Sequence, residues 1–141
     1  MQIKVRKLVE GLEDIRQAHD GEWYDLRSAE DIELHKGELK YIPLGVAIQL
    51  PDGYEGILAA RSSGPLKMGI MPAAGIGIID NSYCGDEDQW MYPVVALRDT
   101  KIHKNDRVCQ FRLLYHNPDA HVQYVESLGN ENRGGIGSTG I

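Results

Sequence analysis

Short apolar runs separated by turn residues fill most of the chain. Ile3-Lys4-Val5 alternates apolar and polar positions with the period of a strand. Further strand-like runs cover 31–34, 39–50, 55–60, 75–79, 90–97 and 108–115, and 122–127 closes the set. Turn chemistry lies between them, at Pro51-Asp52-Gly53, Ser63-Gly64-Pro65, Asp80-Asn81-Ser82-Tyr83 and Lys104-Asn105-Asp106. The charged segment 8–18 reads as a helical turn or a loop, and 66–69 as a short helix. Many short strands with turns at this spacing predict an all-β sandwich or barrel with at most one short helix. The pattern lapses after 128. The last residues are rich in Gly and Asn and cannot bury a core face. They predict a flexible tail over 129–141 on a β domain over 1–128.

Bulk properties narrow the function classes. A chain of 141 residues, 42% of them hydrophobic, supports one compact core. A formal net charge of −6 argues against general nucleic-acid binding, which needs a basic face. No stretch is long and apolar enough for a membrane span, and the start lacks the apolar region of a secretory signal. The cytoplasm is the simplest location. Cys84 and Cys109 then read as reduced, separate thiols.

Five local patterns carry candidate chemistry, and each also has a plainer reading. Tyr24-Asp25-Leu26 places a carboxylate beside apolar residues at a strand start, which also suits a turn or cap. Arg61-Ser62-Ser63-Gly64 follows an apolar run. Its guanidinium fork and hydroxyls suit phosphate oxygens, or merely close a strand. In Gly75–Tyr83, Asp80 follows apolar Ile79 and reads as a partly buried carboxylate able to act as general base toward water. Tyr83 offers a ring for a sugar. The alternative is an Asx-type turn with a core tyrosine. Gln110 stands in an apolar strand, so its amide needs polar partners, while Asp106-Arg107 reads as a turn with its own ion pair. Arg133-Gly134-Gly135-Ile136-Gly137-Ser138-Thr139-Gly140 can turn backbone N–H groups toward an anion, or be simply disordered. It lacks the lysine and the βα unit of a P-loop.

In this order and spacing the five patterns resemble the motifs of the trimeric dUTP pyrophosphatases, over nearly the whole chain. The resemblance implies a jelly-roll-like distorted β-barrel. It implies a homotrimer with active sites at subunit boundaries, each closed by a neighbour's tail. It also implies hydrolysis of dUTP to dUMP and pyrophosphate, with water attacking the α-phosphorus and Asp80 taking its proton. Arg61 and Gln110 would line the phosphate side as catalytic groups, with Ser62 and Ser63 beside them. Tyr83 would stack on deoxyribose, and backbone around Ile79 would read uracil. Arg133 would hold the γ-phosphate, with Gly134, Gly135, Ile136, Gly137, Ser138 and Thr139 wrapping the chain of phosphates. Mg²⁺ would ride on the triphosphate and touch Asp25 through water. Some phage-borne members also bind gene regulators, so a regulatory protein partner stays open.

The chain departs from the family pattern in four places. Trp23 stands where a small residue is usual, Ala60 replaces a proline, and Ala74 replaces an asparagine. Ile136 replaces the aromatic that covers uracil, and Trp90 or Tyr92 is an expected substitute, though both also read as ordinary strand residues. The rival enzyme of the same fold, dCTP deaminase, needs a glutamate placed at the base. The stretch Asn81-Ser82-Tyr83-Cys84-Gly85 fits the pyrophosphatase better.

Overall fold

A computed structural model describes residues 1–17, 20–117, 119–137 and 140. Twelve strands form among them: β1 (Lys4–Lys7), β2 (Arg16–Gln17), β3 (Tyr24–Arg27), β4 (Ile32–Leu34), β5 (Leu39–Pro43), β6 (Val46–Gln49), β7 (Tyr54–Ala60), β8 (Ile70–Pro72), β9 (Gly77–Ile79), β10 (Met91–Ala96), β11 (Thr100–Ile102) and β12 (Arg107–Tyr115). One helical turn, Gly64–Met68, stands between β7 and β8. Pro65 opens it, where a missing N–H costs nothing. Gly69 ends it with φ of 65°, and its N–H donates to Gly64 O. Arg98 covers the turn's free carbonyls, donating to Pro65 O and Leu66 O.

All pairings are antiparallel. The largest sheet runs β2-β3-β12-β7-β9. The others are β5-β10-β8, β1-β6 and β11-β4. Alternation along β10 buries Tyr92, Val94 and Ala96 and turns Met91, Pro93 and Val95 outward. Trp90 and Phe111 centre the core, ring edge on ring face at 5.2 Å and 76°. No helix of the described residues is long and apolar enough to cross a membrane. Cys84 is exposed, Cys109 is buried, and both are free.

The strand expectations need three corrections. The run 39–50 breaks at Leu44-Gly45, and its halves join different sheets. Gly45 has φ of +68°, and a Cβ there would sit 3.0 Å from Ala29 and Val9. Strands β8 and β11, three residues each, lie outside the runs read as strands. Over 8–15 the structure takes the loop alternative of that reading. Residues 122–127 form no strand, for the sheet ends at Tyr115, well before 128. From Asn117 onward, hydrogen bonds among the described residues stay within this C-terminal arm. Val122, Tyr124 and Leu128 are more than four-fifths exposed on it.

Candidate active site

The long central strand β12 brings the first cluster together. Gln110 pairs across to Asp25 on β3 and to Ala59 on β7, and Arg61 follows directly where β7 ends. Asp25 is only 5% exposed. A carboxylate so enclosed needs partners, and two guanidinium groups supply them. Arg61 Nε donates to Asp25 Oδ1 at 3.0 Å, and Arg107 Nη1 to Oδ2 at 3.3 Å. Arg61 Nη1 also donates to Arg107 O at 3.1 Å and reaches Ser63 Oγ at 3.5 Å. Gln110 Nε2 donates to Ala60 O at 2.9 Å. Ser62 is exposed and Ser63 half-buried. Two cations against one anion leave local positive charge on a chain of net −6, which suits a phosphate.

A second cluster lies elsewhere. Ile79 ends β9 opposite Gly56, and Asp80 follows it. Arg61 is five residues further along the chain than Gly56, roughly 17 Å at the rise of an extended strand. Asp80 and Arg61 therefore sit toward opposite ends of β7. Asp80 is exposed, not partly buried. The Ser82 hydroxyl, and after it the Ser82 backbone N–H, hold its carboxyl below the usual range. Both donate to Oδ1. Asn81 stitches this turn to the β6–β7 turn, donating to Pro51 O and Tyr54 O at 2.9 and 2.8 Å. Tyr83 keeps a partly exposed ring, and its hydroxyl donates to Gln89 O at 3.0 Å.

Two further expectations change. Trp90 and Tyr92 cannot cover a ligand base, because they are 0% and 3% exposed within the core. Burial also pushes the Tyr92 phenol well above its ordinary pKa. Arg107 pairs with Asp25, not with Asp106, whose carboxylate instead accepts from the His103 backbone N–H. Asp25 anchors an ion-pair cluster, with one guanidinium group on each carboxylate oxygen. Arg133, Gly134, Gly135, Ile136 and Gly137 are exposed on the arm, while Ser138 and Thr139 lie outside the described residues.

Arg107 and Asn81 are the site residues that sequence reading missed. A strand two-residue repeat puts positions 107 and 110 on opposite faces, so only the observed backbone irregularity reveals Arg107. Asn81 lay inside a recognised turn, with nothing local to show which carbonyls it would meet.

The dUTPase family profile matches residues 17–140. The SPbeta prophage-derived deoxyuridine 5′-triphosphate nucleotidohydrolase YosS of Bacillus subtilis (strain 168) is 49% identical over 140 residues, covering 99% of each chain. The deoxyuridine 5′-triphosphate nucleotidohydrolase of Paramecium bursaria Chlorella virus 1 is 34% identical over 139 residues, covering 97% of this chain and 96% of its own. Among solved structures, the Staphylococcus bacteriophage 80alpha dUTPase with dUPNHPP superposes with a TM-score of 0.79 at 23% identity, over 99% of both chains. A mutant dUTPase from phage phi11 of S. aureus gives 0.80 at 21% identity, over 91% of this chain and 99% of its own. The architecture they share is the expected jelly-roll-like β fold. The family profile and the full-length similarity agree, and this chain belongs to the dUTPase family.

Proposed function

We propose that the chain hydrolyses dUTP to dUMP and pyrophosphate in a homotrimer whose active sites are assembled from more than one copy. The observation that carries this reading is the split between the two clusters. Asp80 lies roughly 17 Å or more from Arg61, by strand rise, with Gln110 and Asp25 grouped at the Arg61 end. Groups that act on one phosphorus must come within about 3–3.5 Å of the reacting atoms. One chain does not join the clusters, and a second copy can.

The arm supports the same assembly. Met1, Ile3, Val5, Ile15, Tyr24, Phe111 and Leu113 line an apolar groove of about 410 Å³. The exposed Val122 and Tyr124 alternate as an added strand would. A neighbour's arm laid in this groove would cover both apolar surfaces and carry Arg133 and the glycine-rich tail to a neighbouring site.

In the assembled site, water attacks the α-phosphorus. The oxygen–phosphorus bond forms, the α–β bridge breaks, and pyrophosphate leaves. Asp80 Oδ2 takes the water's proton, because Oδ1 is occupied by Ser82. Arg61, Gln110, Ser62 and Ser63 hold phosphate oxygens, and Arg133 with the tail from Gly134 through Thr139 closes over them. The fixed ring of Tyr83 packs on deoxyribose and excludes a 2′-hydroxyl. Backbone around Ile79 reads uracil, and Ile136 supplies aliphatic cover.

Mg²⁺ fits as a passenger of the triphosphate. The described residues contain no group of three or more His, Cys, Asp or Glu able to hold a metal. Asp25 already serves two guanidinium groups, leaving at most a contact through water. Bound there, Mg²⁺ supplies charge neutralisation on phosphate oxygens. The phi11 protein is described with a structural Mg(II) ion. The 80alpha enzyme is described as controlling transfer of virulence genes. A regulator-binding role for this chain is a separate proposal, tested by keeping that binding in Asp80→Asn.

The test is pyrophosphate release from dUTP with Mg²⁺, with dCTP, dTTP and UTP as controls and Asp80→Asn beside wild type. Release from dUTP alone, lost in the variant, is the expected result. No turnover of dUTP refutes the reading.

A further inference from the structure

Strand β12 would alternate regularly from Tyr115 back to its start, were it not for one irregularity. Gln110 faces outward beside Asp25, and Cys109 faces the core. A regular strand would then turn residue 108 outward and residue 107 inward. The register shifts between Arg107 and Cys109, so that two steps on β12 oppose one step on β3, from Arg27 to Leu26. This bulge buries Val108 at 1% exposure and throws Arg107 to the outer face with Gln110. Bulges of this kind re-aim side chains beside functional sites.

Arg107 uses that position to grip Arg61 twice. Its carbonyl accepts from Arg61 Nη1 at 3.1 Å. Its side chain takes the second oxygen of Asp25, whose first oxygen holds Arg61 Nε. With Nε and Nη1 thus held, Arg61 Nη2 is the guanidinium nitrogen with no hydrogen bond among the described residues. The Arg107 side chain is half exposed, so its ion pair adds little to stability. Its effect is to fix a carboxylate that would otherwise rotate about one contact.

We infer that Arg107 is a positioning residue. Through Asp25 it holds Arg61 at the angle that presents Nη2 to a phosphate oxygen. The inference rests on the reading of Arg61 as a phosphate ligand. Arg107 itself touches no substrate.

A double-mutant cycle tests it, with Arg107→Met and Arg61→Met alone and combined. The Arg107→Met side chain keeps the stem and, like any residue there, the carbonyl contact. The expected loss in kcat/KM for dUTP is ten- to a hundredfold in the wild-type background, the size of a roughly 1 Å misplacement. In the Arg61→Met background the further loss should be less than about twofold, because the group being positioned is gone. Arg107→Lys should recover part of the rate. An equal loss in both backgrounds overturns the inference, since general loosening of the fold adds to the Arg61 defect. If Arg107→Met fails to form wild-type oligomers, the same comparison is made with Arg107→Lys. A parallel cycle reads affinity for α,β-imido-dUTP by calorimetry. A wild-type chain that binds this analogue with coupled arginines, yet turns over no dUTP, refutes the catalytic reading and keeps the positioning. Uncoupled binding refutes the positioning.

Discussion

Two damaged chains should make one working site. Asp80→Asn removes the proposed base, and Arg61→Met removes a proposed phosphate ligand on the other side of the proposed subunit boundary. Each variant alone should lose about 10²–10³ or more of kcat, the usual cost of a missing base or a missing charge-stabilising donor. The geometry sets what happens when they are mixed. Along β7 the two groups are separated by roughly 17 Å or more of extended backbone, with Ile79 opposite Gly56 and Arg61 beyond Ala60. A site that takes Asp80 from one copy and Arg61 from another is whole when the first is an Arg61→Met chain and the second an Asp80→Asn chain. Random mixing in equal amounts makes each condition true half the time, so about one quarter of sites in a closed symmetric oligomer recover. The assay is pyrophosphate release after the variants are co-refolded, with mixed oligomers confirmed by mass. The expected rate is about a quarter of wild type, far above either parent. A mixture that stays at the parental average, with mixed oligomers present, places both groups in one chain's site and refutes the shared-site argument.

Three further outcomes follow from local geometry. Trp90→Ala should cost about 3–5 kcal/mol of stability in denaturant unfolding, because it empties the centre of the core, and a change confined to KM would restore the lid idea. Gly56→Ala should destabilise by about 1–3 kcal/mol, since a Cβ there would lie 2.8 Å from Trp90 Cη2; a neutral effect would mean the indole yields easily. Ser82→Ala should move the acid limb of the kcat/KM profile to higher pH. The Ser82 hydroxyl bond is the larger of the two that favour the charged carboxylate, so losing it, with the backbone N–H bond kept, raises the pKa and protonates the carboxylate earlier as pH falls. An unmoved limb would separate Asp80 from that titration.

Position in sequence singled out candidate residues, but it did not show where they meet. Asp25, Arg61, Asp80, Gln110 and Arg133 stood out because charged or amide groups interrupt apolar runs or sit among glycines. Trp90 and Tyr92 misled because an aromatic beside a polar loop looks the same whether it faces solvent or the core. Arg107 stayed hidden because its neighbour Asp106 offered a plausible partner one position away. Strands β8 and β11 fell outside every run read as a strand.

The chain's own order of residues was enough for the all-β class, the main turns and the set of candidate groups. Those depend on alternation and on the φ preferences of Gly, Asn and Pro, which act within a few residues. Folding in three dimensions was needed to split 39–50 between two sheets, to bulge β12 at Val108, and to seal Trp90 against Phe111. It was needed also to set Asp80 and Arg61 at opposite ends of β7. Each of these is a matter of register, and register is chosen by which partners from distant parts of the chain bury the most apolar surface together.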